Sequence, residues 1–217
     1  MLHSLGSLSE ACVLAADGEI GRVYDFLFDD QTWMVRYLAV DVRRWLTRHD
    51  VLVPVTALDQ PDLAKGTIRC HLNRDQVRHS PPADTRKPVS RQQEIAMREF
   101  YGWPEYWSNK NADTIAIPVI AGRQFPVATK EDQHLRSTEA ISGYKVFSES
   151  AEMGALQDFI VDEDSWHIGY LDVQTGTWLR KREVLLPTRW VKVISWADGR
   201  VVLHHSSAVL ASSASKV

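Results

Sequence analysis

The 217-residue chain is 44% hydrophobic and 24% charged, a composition typical of a globular protein and not of a disordered one. Its formal net charge of -3 offers no basic field of the kind that gathers nucleic acid, so direct nucleic-acid binding is disfavoured. Neither a leader pattern nor a run of about 18 apolar residues is present, so we expect a cytoplasmic protein without direct membrane insertion.

The first part of the chain reads as a series of short strands. An apolar run over residues 8–16 precedes Asp17-Gly18, a pair that favours a tight hairpin turn. Strands are predicted at about residues 21–29 and 33–42, which are rich in β-branched and aromatic side chains. A fourth strand is predicted at residues 51–58, where Pro54 indicates an edge or a bulge, and a fifth at residues 67–72. Because exposed strand edges invite aggregation, we expect the sheet to close into a small barrel.

Residues 83–132 have the composition of a linker. Residues 80–132 are rich in proline. Ser90 and Gln93 form a capping-box pattern at the start of the stretch that includes "QQEIAMREFYGW". One helix is therefore predicted within residues 90–107. The same stretch carries several large aromatic side chains, so we expect it to dock on a neighbouring domain and not to swing free.

An internal repeat divides the chain into two halves. Residues 21–54, "GRVYDFLFDDQTWMVRYLAVDVRRWLTRHDVLVP", recur without a gap at residues 154–187 as "GALQDFIVDEDSWHIGYLDVQTGTWLRKREVLLP". Such self-similarity indicates one fold used twice. We expect a first domain at residues 1–82, the linker at 83–132 and a second domain at 133–217.

Both halves resemble the PRC-barrel family, the small β-barrel of the photosynthetic reaction-centre H subunit and of ribosome maturation factors of the RimM type. The resemblance is carried by "DGEIGRVYDFLFDDQTWMVRYLAVDV", the apolar "VLVP" and "GTIRCHLNRDQVRHSPP", and by their counterparts in the second half. It implies an all-β protein, two small antiparallel PRC-type barrels joined by a linker with one short helix. The second half departs from the pattern where "SAEMG" replaces "DGEIG".

The candidate chemical groups have structural interpretations. The repeated carboxylates Asp25, Asp29, Asp158 and Asp162 could serve acid–base or metal chemistry, but aspartates beside turns more often cap backbone N–H groups. Adjacent histidines such as His204-His205 point to opposite faces of a strand, and no histidine or cysteine spacing matches a metal motif. No nucleophile elbow and no glycine-rich phosphate loop is present. We therefore predict no catalytic residue, no metal site, no cofactor and no enzyme activity.

One constellation is a candidate interface. A hairpin in each half combines tryptophan with basic residues, the chemistry favoured at protein interfaces and phosphate contacts, although hairpin tips also carry charge for solubility. The predicted interface residues are Arg43, Arg44, Trp45, Arg48, Trp178, Arg180, Lys181 and Arg182.

These observations favour a non-enzymatic interaction or scaffold protein that binds a protein partner, and a homo-oligomer is compatible with them. The family resemblance implies two alternatives, an accessory factor for ribosome maturation or RNA processing, which would meet RNA through a ribosomal partner, and an accessory subunit of a photosynthetic electron-transfer complex. A hydrolase that uses Asp29 and Asp162 is the alternative from a different class.

Overall fold

The computed structural model describes residues 1–42, 50–80, 99–100, 102, 135–148, 151–177 and 180–204. Of the predicted linker helix it describes Glu99 and Phe100, which are helical, and Gly102. The rest of that helix and its predicted docking lie outside the described residues. The domain bounds at residues 82 and 133 stay a prediction.

Strands dominate both halves, as the sequence predicts, and helices are short. The first half contains β1 (Leu2–Ser4), α1 (Leu5–Leu8), β2 (Cys12–Ala15), β3 (Gly18–Asp29), β4 (Met34–Asp41), β5 (Asp50–Pro54), a 3-10 helix (Val55–Ala57), β6 (Thr67–Arg69) and α2 (Arg74–Arg78). The second half contains β7 (Leu135–Ser137), α3 (Thr138–Ile141), β8 (Lys145–Ser148), β9 (Ala151–Asp162), β10 (His167–Thr177), β11 (Arg180–Pro187), a 3-10 helix (Thr188–Trp190), β12 (Val191–Ser195) and β13 (Arg200–Leu203).

The predicted register of the repeat agrees with the positions of the strands. The long strands β3 and β9 are both 12 residues, and each carries the repeated glycine three residues after its start. A Cβ on Gly21 would lie 2.0 Å from the carbonyl oxygen of Asp41, and a Cβ on Gly154 would lie 2.1 Å from that of Gln174. The repeated glycine is therefore required because the neighbouring strand crosses it at a distance that excludes a side chain.

Two predicted strands are shorter than the sequence indicates. β5 ends at Pro54, and the chain continues as a 3-10 helix, because a proline cannot donate to the ladder and ends it. Among the described strands β5 pairs only with β4, so the predicted edge position of Pro54 is confirmed. The strand predicted at residues 67–72 ends at Arg69, and α2 follows it.

Strand order is equivalent in the two halves. The first runs β6-β2-β3-β4-β5 and the second β13-β8-β9-β10-β11, with β12 beside β13. All of these pairs are antiparallel except β2 with β6 and β8 with β13. The two parallel pairs are exceptions to the expected antiparallel pairing. In each half the chain passes through several intervening strands before β6 or β13 returns to lie parallel to β2 or β8.

The halves exchange their first segments. β1 of the first half pairs with β9, joining Leu2 to Asp162 in register, and β7 of the second half pairs with β3, joining Leu135 to Asp29. Since Leu2 and Leu135 are equivalent in the repeat, the contacts are reciprocal, as in the isologous interface of a symmetric dimer. Each half therefore completes the sheet of the other.

The same symmetry holds where β4 meets β10. The amide of Val35 donates to the carbonyl of Trp166 at 2.9 Å, and the amide of Ile168 donates to the carbonyl of Trp33 at 2.8 Å. Both tryptophans have a positive φ, 58° and 56°, which non-glycine residues rarely adopt. The two strained backbone positions therefore lie where hydrogen bonds join the sheets of the two halves.

One hydrophobic core extends through both halves. The Phe28 and Phe159 rings, from β3 and β9, lie 5.8 Å apart, and the Trp33 ring stacks on Phe28 at 5.4 Å. Arg136, in the exchanged strand β7, donates to the Asp30 carboxylate at 3.0 Å and also lies 4.3 Å from the Trp196 ring centre. The described parts of the two halves therefore share one hydrophobic core.

Candidate functional site

The predicted basic hairpins are described only in part. Arg43, Arg44, Trp45, Arg48 and Trp178 lie outside the described residues, so the interface predicted there stays a prediction. Arg180 begins β11, and Lys181 and Arg182 follow it as exposed residues of that strand.

Asp25 anchors an exchanged segment. Its side chain is 3% exposed, and its Oδ1 accepts hydrogen bonds from the amide of Phe26 at 2.7 Å, the hydroxyl of Thr138 at 2.9 Å and the amide of Glu139 at 3.0 Å. Thr138 and Glu139 begin α3, which belongs to the other half. The carboxylate therefore caps a helix from the second half, and all three bonds serve the fold.

Asp158 has the same role toward α1. It accepts hydrogen bonds from the hydroxyl of Ser4, from the amide of Gly6 at 3.1 Å and from the amide of Phe159 at 2.7 Å. Asp158 accepts from backbone N–H groups, as predicted, but it lies within β9 and not beside a turn. The position of its partners, 152 and 154 residues away, was not predicted.

The second pair of repeated aspartates caps turns. Asp29 accepts from the amides of Gln31 and Thr32, both at 3.0 Å, and Asp162 accepts from the amide and the hydroxyl of Ser165. The Ser165 hydroxyl and amide lower the pKa of Asp162. Within the described parts of the chain no group of three or more His, Cys, Asp or Glu side chains could hold a metal ion.

An open depression of about 470 Å³ lies beside β2 and β6, lined in part by Leu14, Glu19 and Cys70. At its rim Nε2 of His71 lies 2.7 Å from Oδ1 of Asp59. Burial raises the pKa of the Cys70 thiol, so the thiol stays protonated near neutral pH and is a poor nucleophile. Cys70 is buried and Cys12 is partly buried.

The two halves differ in how far the outer face of the sheet is buried. In the first half this face forms a separate apolar cluster that is between 0 and 3% exposed, made of Leu27, Tyr37, Ala39, Leu52 and Leu135. Cross-strand pairing of Tyr37 with Leu27 and of Ala39 with Leu52 places these side chains on one face. The cluster is buried within the chain.

The counterparts of this cluster are more exposed. The repeat relates the five cluster positions, in the same order, to Ile160, Tyr170, Asp172, Leu185 and Leu2. Leu2 is 55% exposed and Leu185 37%, against 1% for both Leu135 and Leu52, whereas Ile160, Tyr170 and Asp172 are partly buried. We refer to these five residues, four from the second half and Leu2 from β1, as the open face.

Asp172 distinguishes the open face chemically, because its counterpart is Ala39. Asp172 lies opposite Asp158 on β9 and opposite Leu185 on β11. Its Oδ1 is buried and, among the described residues, has no hydrogen-bond partner. Burial, together with the neighbouring carboxylates Glu183 and Asp158, raises the pKa of Asp172.

Two features of the sequence relate to this surface. The repeat extends to Leu2 and Leu135 and to Ser4 and Ser137, which marks the exchanged segments as equivalent. Within the matched stretch, the change from Ala39 to Asp172 puts an ionisable group at an apolar position. Neither signal reveals that one face is covered and the other open, because burial depends on contacts far away in the chain.

The match to a known family agrees with this architecture. A scan against profiles of protein families matches the PRC-barrel domain twice, at residues 10–77 and 137–208. The chain belongs to the PRC-barrel family. A comparison with curated proteins gives no match. Among the described residues, no helix has the length and apolar character that a membrane crossing requires.

Proposed function

We propose that this PRC-barrel protein is a non-enzymatic interaction module that binds a protein partner through the open face. The exposure of Leu2 and Leu185 carries the proposal, since both have counterparts that are almost fully buried. Burial of a leucine side chain contributes about 1.5 to 3 kcal/mol, so a partner that covers both gains a substantial part of a binding free energy. Contiguous exposed apolar groups are characteristic of interaction sites.

One residue of the predicted basic interface supports the same surface. Lys181, Glu183 and Leu185 alternate along β11 and therefore share one side of the sheet. A charged rim around an apolar centre is the usual composition of a protein interface. We include Lys181 in the proposed binding region, whereas Arg182 lies on the opposite side of β11.

A non-enzymatic role agrees with the use of the polar groups. The repeated carboxylates hold exchanged helices and turns, and the Cys70 thiol is stabilised in its neutral form by burial. A catalytic carboxylate or thiol needs the opposite arrangement, a group free to act on a substrate with a pKa suited to its task.

Affinity capture tests the proposal. Immobilised full-length protein is incubated with an extract of its source cells, and retained proteins are identified by mass spectrometry. We expect a protein that the wild type retains and that Leu185→Ser loses. Leu63→Ser is the matched control, because Leu63 is 40% exposed and lies between β5 and β6 of the first half, outside the five residues of the open face. Retention of no protein above background by the wild type, or equal retention by both variants, contradicts the proposal.

A further inference from the structure

We propose, building on the proposed function, that the open face recognises a partner segment that places an arginine or lysine beside apolar side chains. The apolar side chains pack on Leu2, Ile160, Tyr170 and Leu185, and the cation binds the carboxylate of Asp172. The partner is thus a basic amphipathic segment of a protein.

The geometry of the sheet defines the apolar part of the site. Ile160 and Tyr170 are directly opposite each other on β9 and β10, and β1 lies on the other side of β9 with Ser4 opposite Ile160. Leu2 is two residues before Ser4 and therefore points to the same side. These residues lie on one side of neighbouring strands, with Leu2 diagonal to Ile160 and Leu185 diagonal to Tyr170.

The cation-binding part follows from Asp172. Asp172 is a partly exposed carboxylate among apolar side chains, and its buried Oδ1 has no hydrogen-bond partner among the described residues. A cation that contacts the exposed part of the carboxylate offsets the negative charge that burial disfavours. The neighbours of Asp172 on the face do not supply one: Leu185 is apolar, and Glu183 and Asp158 are carboxylates that make the local field more negative. The Asp158 oxygens are already occupied by Ser4 and Gly6.

The charges also indicate which partners are disfavoured. An anionic lipid surface or a nucleic acid would bring phosphates toward Asp172 and Glu183, and like charges at an interface oppose binding. Lys181 lies on the same side of β11 but two residues beyond Glu183. An arginine or lysine from the partner brings the complementary charge to the carboxylates of this face.

A random 12-residue peptide display library is the probe for this chemistry. Selection is carried out on full-length protein, with Leu185→Ser as the counter-target, so that only peptides that need the open face are kept. We expect these peptides to be enriched in Arg or Lys adjacent to Leu, Ile or Phe. Selection on Asp172→Asn should yield peptides that keep the apolar residues and lose the basic preference.

Dissociation constants of a selected peptide then measure the contribution of the carboxylate. We expect Asp172→Asn to weaken binding about tenfold, the usual effect of losing one charge-assisted hydrogen bond. Asp75→Asn is the charge-matched control, because it removes one exposed carboxylate from α2 in the first half and should leave the constant unchanged. Circular dichroism checks that each variant is folded.

Three outcomes overturn the inference. One outcome is a set of peptides without a basic preference, or a peptide that binds wild type and Asp172→Asn with equal affinity. Either result shows that the site is apolar and does not select charged peptides, and the proposed function then still stands. Self-association of the protein, measured by sedimentation velocity and abolished by Leu185→Ser, identifies a second copy as the occupant. If selection yields no peptide whose binding depends on Leu185, the open face is not a peptide-binding site. The capture experiment tests the proposed function separately.

Discussion

Asp25→Ala tests whether the exchanged helix is held by a buried carboxylate. The substitution removes the acceptor for the Thr138 hydroxyl, the Glu139 amide and the Phe26 amide. A buried donor left without an acceptor costs about 1 to 3 kcal/mol, and Thr138 and Phe26 are both buried. Water can reach the Glu139 amide in part, so we expect a total loss of about 3 to 5 kcal/mol.

Urea unfolding followed by circular dichroism gives the free energy of unfolding. A loss of this size corresponds to a fall in Tm on the order of 10 °C for a protein of this length. Hydrogen exchange should show faster exchange of the amides of α3, because the capping carboxylate is gone. Thermal and urea unfolding of Asp75→Ala, an exposed aspartate on α2, should change by no more than about 0.5 kcal/mol.

Asp158→Ala provides the comparison within the molecule. Asp158 caps α1 by the same geometry, but it is only partly buried and the Gly6 amide is exposed, so water replaces part of what is lost. We expect a smaller loss, about 1 to 2 kcal/mol. If Asp25→Ala destabilises no more than Asp158→Ala, burial of the donors does not set the magnitude and the reasoning is wrong.

Three further predictions concern single positions. Gly154→Ala should destabilise by about 2 kcal/mol or more, because its Cβ would lie 2.1 Å from the Gln174 carbonyl oxygen, whereas Gly169→Ala, with nothing within 4 Å, should change stability by less than about 1 kcal/mol in urea unfolding. Burial lowers the pKa of His167 from 6.5, so the folded state binds its proton less tightly than the unfolded state. Stability should therefore decline as the pH falls below about 6.5, and His167→Gln should flatten this part of a Tm-against-pH curve. Burial raises the pKa of Asp172, so the ionised carboxylate destabilises the fold at neutral pH; Asp172→Asn should raise the Tm at pH 7 and have less effect at acid pH.

Much of the fold could be predicted because its signals are local. The Asp17-Gly18 turn, the alternation of β-branched residues and the repeat of Gly21 at Gly154 identify strands and turns within a few residues of their positions. The termination of β5 at Pro54 is the kind of boundary that propensity places poorly, since a 3-10 helix continues the same apolar run.

The exchange of segments could not be predicted, because it depends on contacts with no local signature. The composition of residues 2–8 does not decide whether they pack on their own half or on the other half, because the equivalent residues 135–141 occupy the same kind of site. Only the length of the connection and the packing of the whole core decide between the two arrangements. The open face depends on this arrangement, so Leu2 and Leu185 could not be selected from the sequence.

The tandem arrangement explains how one face can be open while its equivalent is buried. A homodimer of a single-domain chain would make the same exchange of first segments, but its two outer faces would be identical, both covered or both open. Joining the halves in one chain removes this constraint, so each outer face can change independently. Ala39 and Asp172 show the result: at equivalent positions the first half keeps a small apolar residue inside a closed cluster, and the second half places a carboxylate among exposed apolar side chains. The core and the exchange, which need both halves, retain the symmetry through Asp25 and Asp158, while the outer face does not.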